Sequence, residues 1–224
     1  METPSSERRP VVPAVKQRWE IGRVEAFSDG VLAIAITLLV LEIHVDPSGL
    51  ERPWRAFADE WPSYLAFVTS FLTIGGVWLA HHGLFTRLRA VDPVLMRLNL
   101  LLLMAVSFLP FPTALMAEAL RESETAERAA VVVYGVTAGI IELLMATASR
   151  YAASQPELLV PGTPPPPVAD RARGGIRAVL YGVLLVLGIL VFPKLAAFGY
   201  FAVAAYAVLS PRGEGRLTLS SLRG

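Results

Sequence analysis

The sequence predicts an all-α, polytopic membrane protein of six transmembrane helices, and three observations carry that reading. Of the 224 residues, 54% are hydrophobic and only 17% charged, and the mean hydropathy is positive. The apolar residues are gathered into runs of near-spanning length, where a soluble core would scatter them. When the connections between runs are assigned alternately to two sides, 15 Lys and Arg fall on one side and 5 on the other. That asymmetry places both termini in the cytoplasm and requires an even number of spans. The formal charge of +1 predicts no nucleic-acid partner, and the absence of cysteine excludes disulfides and thiolate metal sites. No cofactor is expected.

Residues 1–20 carry Glu7, Arg8, Arg9, Lys16, Arg18 and Glu20 around no apolar core. They read as a polar cytoplasmic tail and not as a cleavable signal peptide. The first span follows in IGRVEAFSDGVLAIAITLLVLEIHV, residues 21–45, whose run from Val31 to Leu41 is broken only by Thr37. At about 100° per residue, Phe27, Gly30, Val31, Ile34, Leu38 and Leu41 share one stripe with Thr37 at its edge, and Ser28 and Asp29 fall off it. An ionised carboxylate is costly in hydrocarbon, so Asp29 needs a partner on another helix, and Glu25 one turn earlier repels it. This helix is therefore expected to be the hub of a bundle.

The connection from His44 to Ser63 holds Pro47, Gly49, Pro53 and Pro62 around LERPWRAFADEW. Its aromatic residues Trp54, Phe57 and Trp61 suit a short interfacial helix, with an ordinary loop as the alternative. Span two, from Tyr64 to about His82, contains Thr69, Thr73, Gly75 and Gly76, which let helices approach closely. Its end, GVWLAHHGLF, places Trp78, His81 and His82 together on one face. Span three, about Met96 to Ala117, opens with Arg97 and Asn99, and Pro110 and Pro112 should bend or end it. Span four, about Ala129 to Ser149, carries Glu142 at membrane depth, either as a proton-relay carboxylate or paired within the bundle. Residues 150–174 form a Pro-rich linker, and Ile176–Phe192 and Leu195–Leu209 are two thin spans or one re-entrant hairpin, the two-span reading matching the charge bias. Residues 21–210 are thus a single membrane domain, and residues 211–224 a second cytoplasmic tail.

With this topology Arg23, Ser28, Asp29, Trp78, His81, His82, Arg97 and Asn99 lie at one depth near the cytosol. They are expected to satisfy one another as a structural polar network that fixes how three helices cross. A metal bound by His81 and His82 is disfavoured, because adjacent residues on a helix point apart and no further ligand completes a cage. The serine of FSDG has no nucleophile-elbow glycines, and no phosphate-binding glycine loop is present, so an enzyme is not expected.

RVEAFSDG at Arg23 to Gly30, running into AIAITLLVLEI, resembles the signature of prokaryotic members of the transmembrane protein 175 family of endolysosomal potassium channels. The likeness extends to VWLAHHGLF and RLNLLLLMAVSFLPFPTAL, while the last three spans match in number and hydrophobicity only. The resemblance implies a homotetramer in the bilayer of the cell's inner (plasma) membrane. Its central pore, without the TVGYG filter of ordinary potassium channels, is lined by the first helix. Carried over by position, Ile34, Leu38 and Leu41 form an apolar constriction and Thr37 is the pore threonine. Potassium, and other monovalent cations less readily, would pass passively. A proton-coupled or secondary transporter would need inverted repeats, and none is evident. A non-conducting scaffold would need Asp29 but not the Ile34 stripe.

Overall fold

The computed structural model describes residues 19–43, 51–162 and 168–210. The tails, His44, Pro47, Gly49 and the proline run of the linker lie outside them. The elements in order are α1 (Ile21–Leu38), closed by a 3-10 turn (Leu39–Glu42), α2 (Pro53–Asp59), α3 (Trp61–Phe85), α4 (Pro93–Phe108), α5 (Pro110–Ala119), α6 (Glu124–Ala153), a 3-10 turn (Pro156–Leu158), α7 (Val168–Leu190) and α8 (Pro193–Leu209). The chain is all-α, and the described residues form only isolated bridges, Trp19 with Val91 and Leu88 with Leu159.

Local chemistry explains the boundaries. Proline occupies the first turn of α2, α3, α4, α5 and α8, where its fixed φ suits a helix start and its missing N–H costs nothing. Asp92 caps α4 by accepting from the Leu95 N–H at 2.9 Å, and Ser123 caps α6 through the Ala126 N–H. Glu124 and Glu127 in the first turn of α6 and Arg150 in its last complement the helix dipole.

Four segments are long and apolar enough to cross a bilayer: Ile21–Glu42, Trp61–Phe85, Pro93–Ala119 and Glu124–Ala153. The third is interrupted at Leu109, as Pro110 requires, so its two halves are separate helices. Gly175–Leu190 and Pro193–Leu209 are shorter apolar stretches. The helices outrun the apolar runs that announced them. Span four begins five residues before Ala129, and α7 begins at Val168, so the expected linker of 150–174 shrinks from both ends. The extensions are polar turns paid for by capping and by contacts such as the Tyr151 hydroxyl donating to Asp92.

The core lies between α3, α4, α5, α6, α7 and α8, with α1 packed on the outer side of α3 and α4. Leu32, Ala35 and Leu39 of α1, Ile74 and Val77 of α3, Leu102 and Val106 of α4, and Val131, Tyr134 and Ile141 of α6 are all buried. Small residues set the spacing. A side chain on Gly135 would collide with the Tyr200 hydroxyl, and one on Gly76 would sit 3.3 Å from the Ala207 methyl. Helix approach in a bilayer depends on such sites.

Candidate functional site

α1 has two unlike faces. Val24, Ser28, Leu32 and Ala35 are buried against the bundle, spaced as one helical stripe requires. On the other side Phe27, Ile34, Leu38 and Leu41 are 55%, 62%, 41% and 64% exposed. No described residue of the single chain covers that apolar surface. Thr37 is exposed beside it, and its hydroxyl donates to the Ile34 carbonyl at 2.8 Å. Its oxygen keeps lone pairs directed away from the helix.

The polar cluster lies on the buried side. Ser28 Oγ donates to the Val24 carbonyl at 2.9 Å, so it must accept from Asn99 Nδ2, also at 2.9 Å. That fixes the amide orientation, and Asn99 Oδ1 then faces His81 Nε2 at 2.9 Å. A carbonyl oxygen can only accept, so the imidazole proton sits on Nε2. Nδ1 is buried with no described hydrogen-bond partner. The ring stacks on Phe85, centroids 4.1 Å apart. Three helices, α1, α3 and α4, are joined by this single chain of bonds.

A second pair of contacts flanks it. Trp78 Nε1 donates to Asp29 Oδ1 at 3.0 Å, and His82 Nδ1 meets Glu25 Oε1 at 3.1 Å. Trp78 and His82 stack, centroids 5.9 Å apart. Residues four apart on α1 thus meet residues four apart on α3, and each carboxylate has its own partner, which offsets their mutual repulsion.

The expected network is therefore divided. Ser28, Asn99 and His81 form its buried part, while Asp29, Trp78 and His82 stand at the edge, partly exposed. The three residues of span two do not share one face: His81 is turned about 100° from His82 and points inward. Arg23 and Arg97 are exposed and make no hydrogen bond to a described residue, so Asp29 is held by an indole and not by arginine.

Glu142 is paired within the bundle. Arg177 Nε donates to its Oε2 at 2.9 Å, the side chains 10% and 3% exposed. Sequence reasoning offered Glu142 no named partner, although Arg177 stands at the head of the expected span Ile176–Phe192. It also missed a hydroxyl cluster deep in the core. Ser70 bonds Thr113 at 2.7 Å and Tyr134 at 3.2 Å, and Thr73 reaches Tyr181 at 3.4 Å. At the other end of the bundle, the buried Glu60 carboxylate is gripped by Ser63 Oγ at 3.1 Å and by both terminal guanidinium nitrogens of Arg121. Hydrogen bonding to the Glu60 carboxylate holds the Arg121 guanidinium above its ordinary pKa. Among the described residues no group of three His, Cys, Asp or Glu converges as metal ligands.

The stretch of chain that carries this geometry matches known proteins. The family described as the endosomal/lysosomal potassium channel TMEM175 matches residues 23–110, the stretch containing the α1 stripe and both polar groups. A potassium channel of Streptomyces collinus is 55% identical over 117 residues, covering 50% of this chain and 55% of that one. The chain therefore spans about half the length of that relative. The mouse endosomal/lysosomal proton channel TMEM175 is 41% identical over 97 residues, 39% of this chain and 19% of its own. The crystal structure of a lysosomal potassium-selective channel TMEM175 homolog from Chamaesiphon minutus superposes with a TM-score of 0.74 at 37% identity, covering 84% of this chain and 96% of that one.

Proposed function

The chain belongs to the TMEM175 family of membrane channels, and from that premise we propose that it forms a homotetrameric cation channel that prefers potassium over sodium. One observation carries the reading: α1 presents Ile34 and Leu41 more than 60% exposed, on a face the rest of the described chain leaves uncovered. Four copies turned toward a common axis bury that face and create a pore. Ile34, Leu38 and Leu41 then make a narrow apolar neck that closes by excluding water and conducts when it widens enough to be wetted. The Thr37 hydroxyl oxygen offers partial replacement of an ion's hydration shell, which favours potassium because it is less costly to dehydrate.

The channel domain is residues 21–210, with the tails 1–20 and 211–224 on the cytoplasmic side of the inner membrane and no cofactor beyond the permeant ions. Six spans fit the charge bias of 15 to 5. At 1.5 Å per residue the apolar stretches Gly175–Leu190 and Pro193–Leu209 each reach roughly 25 Å, enough for thin spans. An odd number of spans would leave the C-terminal arginines on the wrong side.

The test is potassium flux and reversal potential in proteoliposomes under opposed potassium and sodium gradients, comparing the native chain with Ile34→Asn. A potassium-directed potential weakened by the substitution is expected. Flux indifferent to Ile34 rules out this pore face, and flux absent from both leaves a scaffold. The mouse relative's name favours a second permeant species, the proton, and a pH-sensitive dye inside the same vesicles reports it.

A further inference from the structure

At the end of the bundle away from the Ser28 cluster, α2 has no buried residue. Trp54 is 84% exposed and Phe57 42%, about 60° apart around the axis, while Arg55 and Asp59 occupy the opposite half. The two rings meet edge-on, centroids 6.4 Å apart. The chain turns at Glu60, and the grip of Arg121 and Ser63 on its carboxylate fixes α2 against the head of α3. Trp61, the first residue of α3, lies flat on Phe198 near the start of α8, centroids 6.1 Å apart and planes 6° from parallel. Two aromatic pairs, drawn from α2, α3 and α8, are thus exposed beside this turn, and the α2 pair forms a ledge of its own.

We propose that this ledge is a membrane anchor, with α2 lying along the lipid surface and Trp54 and Phe57 inserted at the boundary between headgroups and acyl chains. A single residue separates α2 from a 25-residue spanning helix, so its depth is fixed at that boundary. Indole suits that depth because its ring is apolar and its N–H needs a polar partner, which ester carbonyls and water supply there. The charged half of α2 then faces the aqueous phase. The assignment rests on the spans and not on conduction.

The chain contains no cysteine, so Trp54→Cys, Arg55→Cys, Phe57→Cys and Asp59→Cys each accept a single nitroxide label without background. In vesicles, collision of the label with lipid-dissolved oxygen is compared with collision with a water-soluble nickel chelate. Oxygen is expected to dominate at positions 54 and 57, and the ratio to reverse at 55 and 59. Nickel dominating at all four overturns the proposal in favour of a solvated helix. Protection of 54 and 57 from both reagents overturns it in favour of burial against another copy of the chain. A second measurement retains the native ring: brominated lipid quenches tryptophan emission, and Trp54→Phe must remove part of the quenchable signal. If nothing is removed, Trp54 is not in lipid.

Discussion

Glu142→Ala should be among the most destabilising single substitutions in this chain, and pairing it with a change at Arg177 should restore most of what it costs. The two side chains are 3% and 10% exposed and meet at 2.9 Å between α6 and α7, inside the bundle. Removing the carboxylate leaves a guanidinium in a site where water cannot replace its partner, which costs about 3–5 kcal/mol. Replacing the pair by Glu142→Leu with Arg177→Met removes both charges and fills the volume, a change that is often neutral or stabilising by about 1–4 kcal/mol. At about 2–4 °C per kcal/mol for a chain of this length, the single variant should melt roughly 6–20 °C lower and the double variant close to the native protein. Thermal unfolding in detergent, followed by helical circular dichroism, reads both. If the single and double variants melt alike, the pair does not act as a unit and the buried-charge argument fails.

Other substitutions test other links. Asn99→Leu leaves the His81 N–H without its acceptor and should lower stability by roughly 1–3 kcal/mol, with an unchanged melting temperature counting against the three-helix chain. Asp29→Ala removes only a bond at the bundle edge, and its cost should stay below about 1 kcal/mol; a larger loss than that of Asn99→Leu would reverse the ranking of buried and peripheral contacts. Gly135→Val drives a side chain into the Tyr200 hydroxyl, which donates to the Val131 carbonyl at 3.2 Å, and should cost about 1–3 kcal/mol by overpacking. A native-like melting temperature would mean that α6 and α8 can separate.

What could be read from the chain was what repeats locally. Blocked apolar runs gave the membrane class, Pro110 marked the break in the third span, and the 100° rule separated the Ile34 stripe from Ser28 before any neighbour was known. Helix ends beyond the apolar runs were not legible, because residues 124–128 and 168–175 are polar and hydropathy has no signal there. Partner choice was decided only in three dimensions. His81 and His82 are identical in composition and adjacent in sequence, yet one bonds Asn99 in the core and the other Glu25 at the edge. Arg177 finds Glu142 across 35 residues, and Thr73 finds Tyr181 across 108. Such pairings depend on how the helices cross, and the crossings are set by many small contacts, Gly76 on Ala207 among them, summed over the whole bundle. Periodicity along one helix determines which face is buried; the identity of what it is buried against belongs to the packing of all of them together.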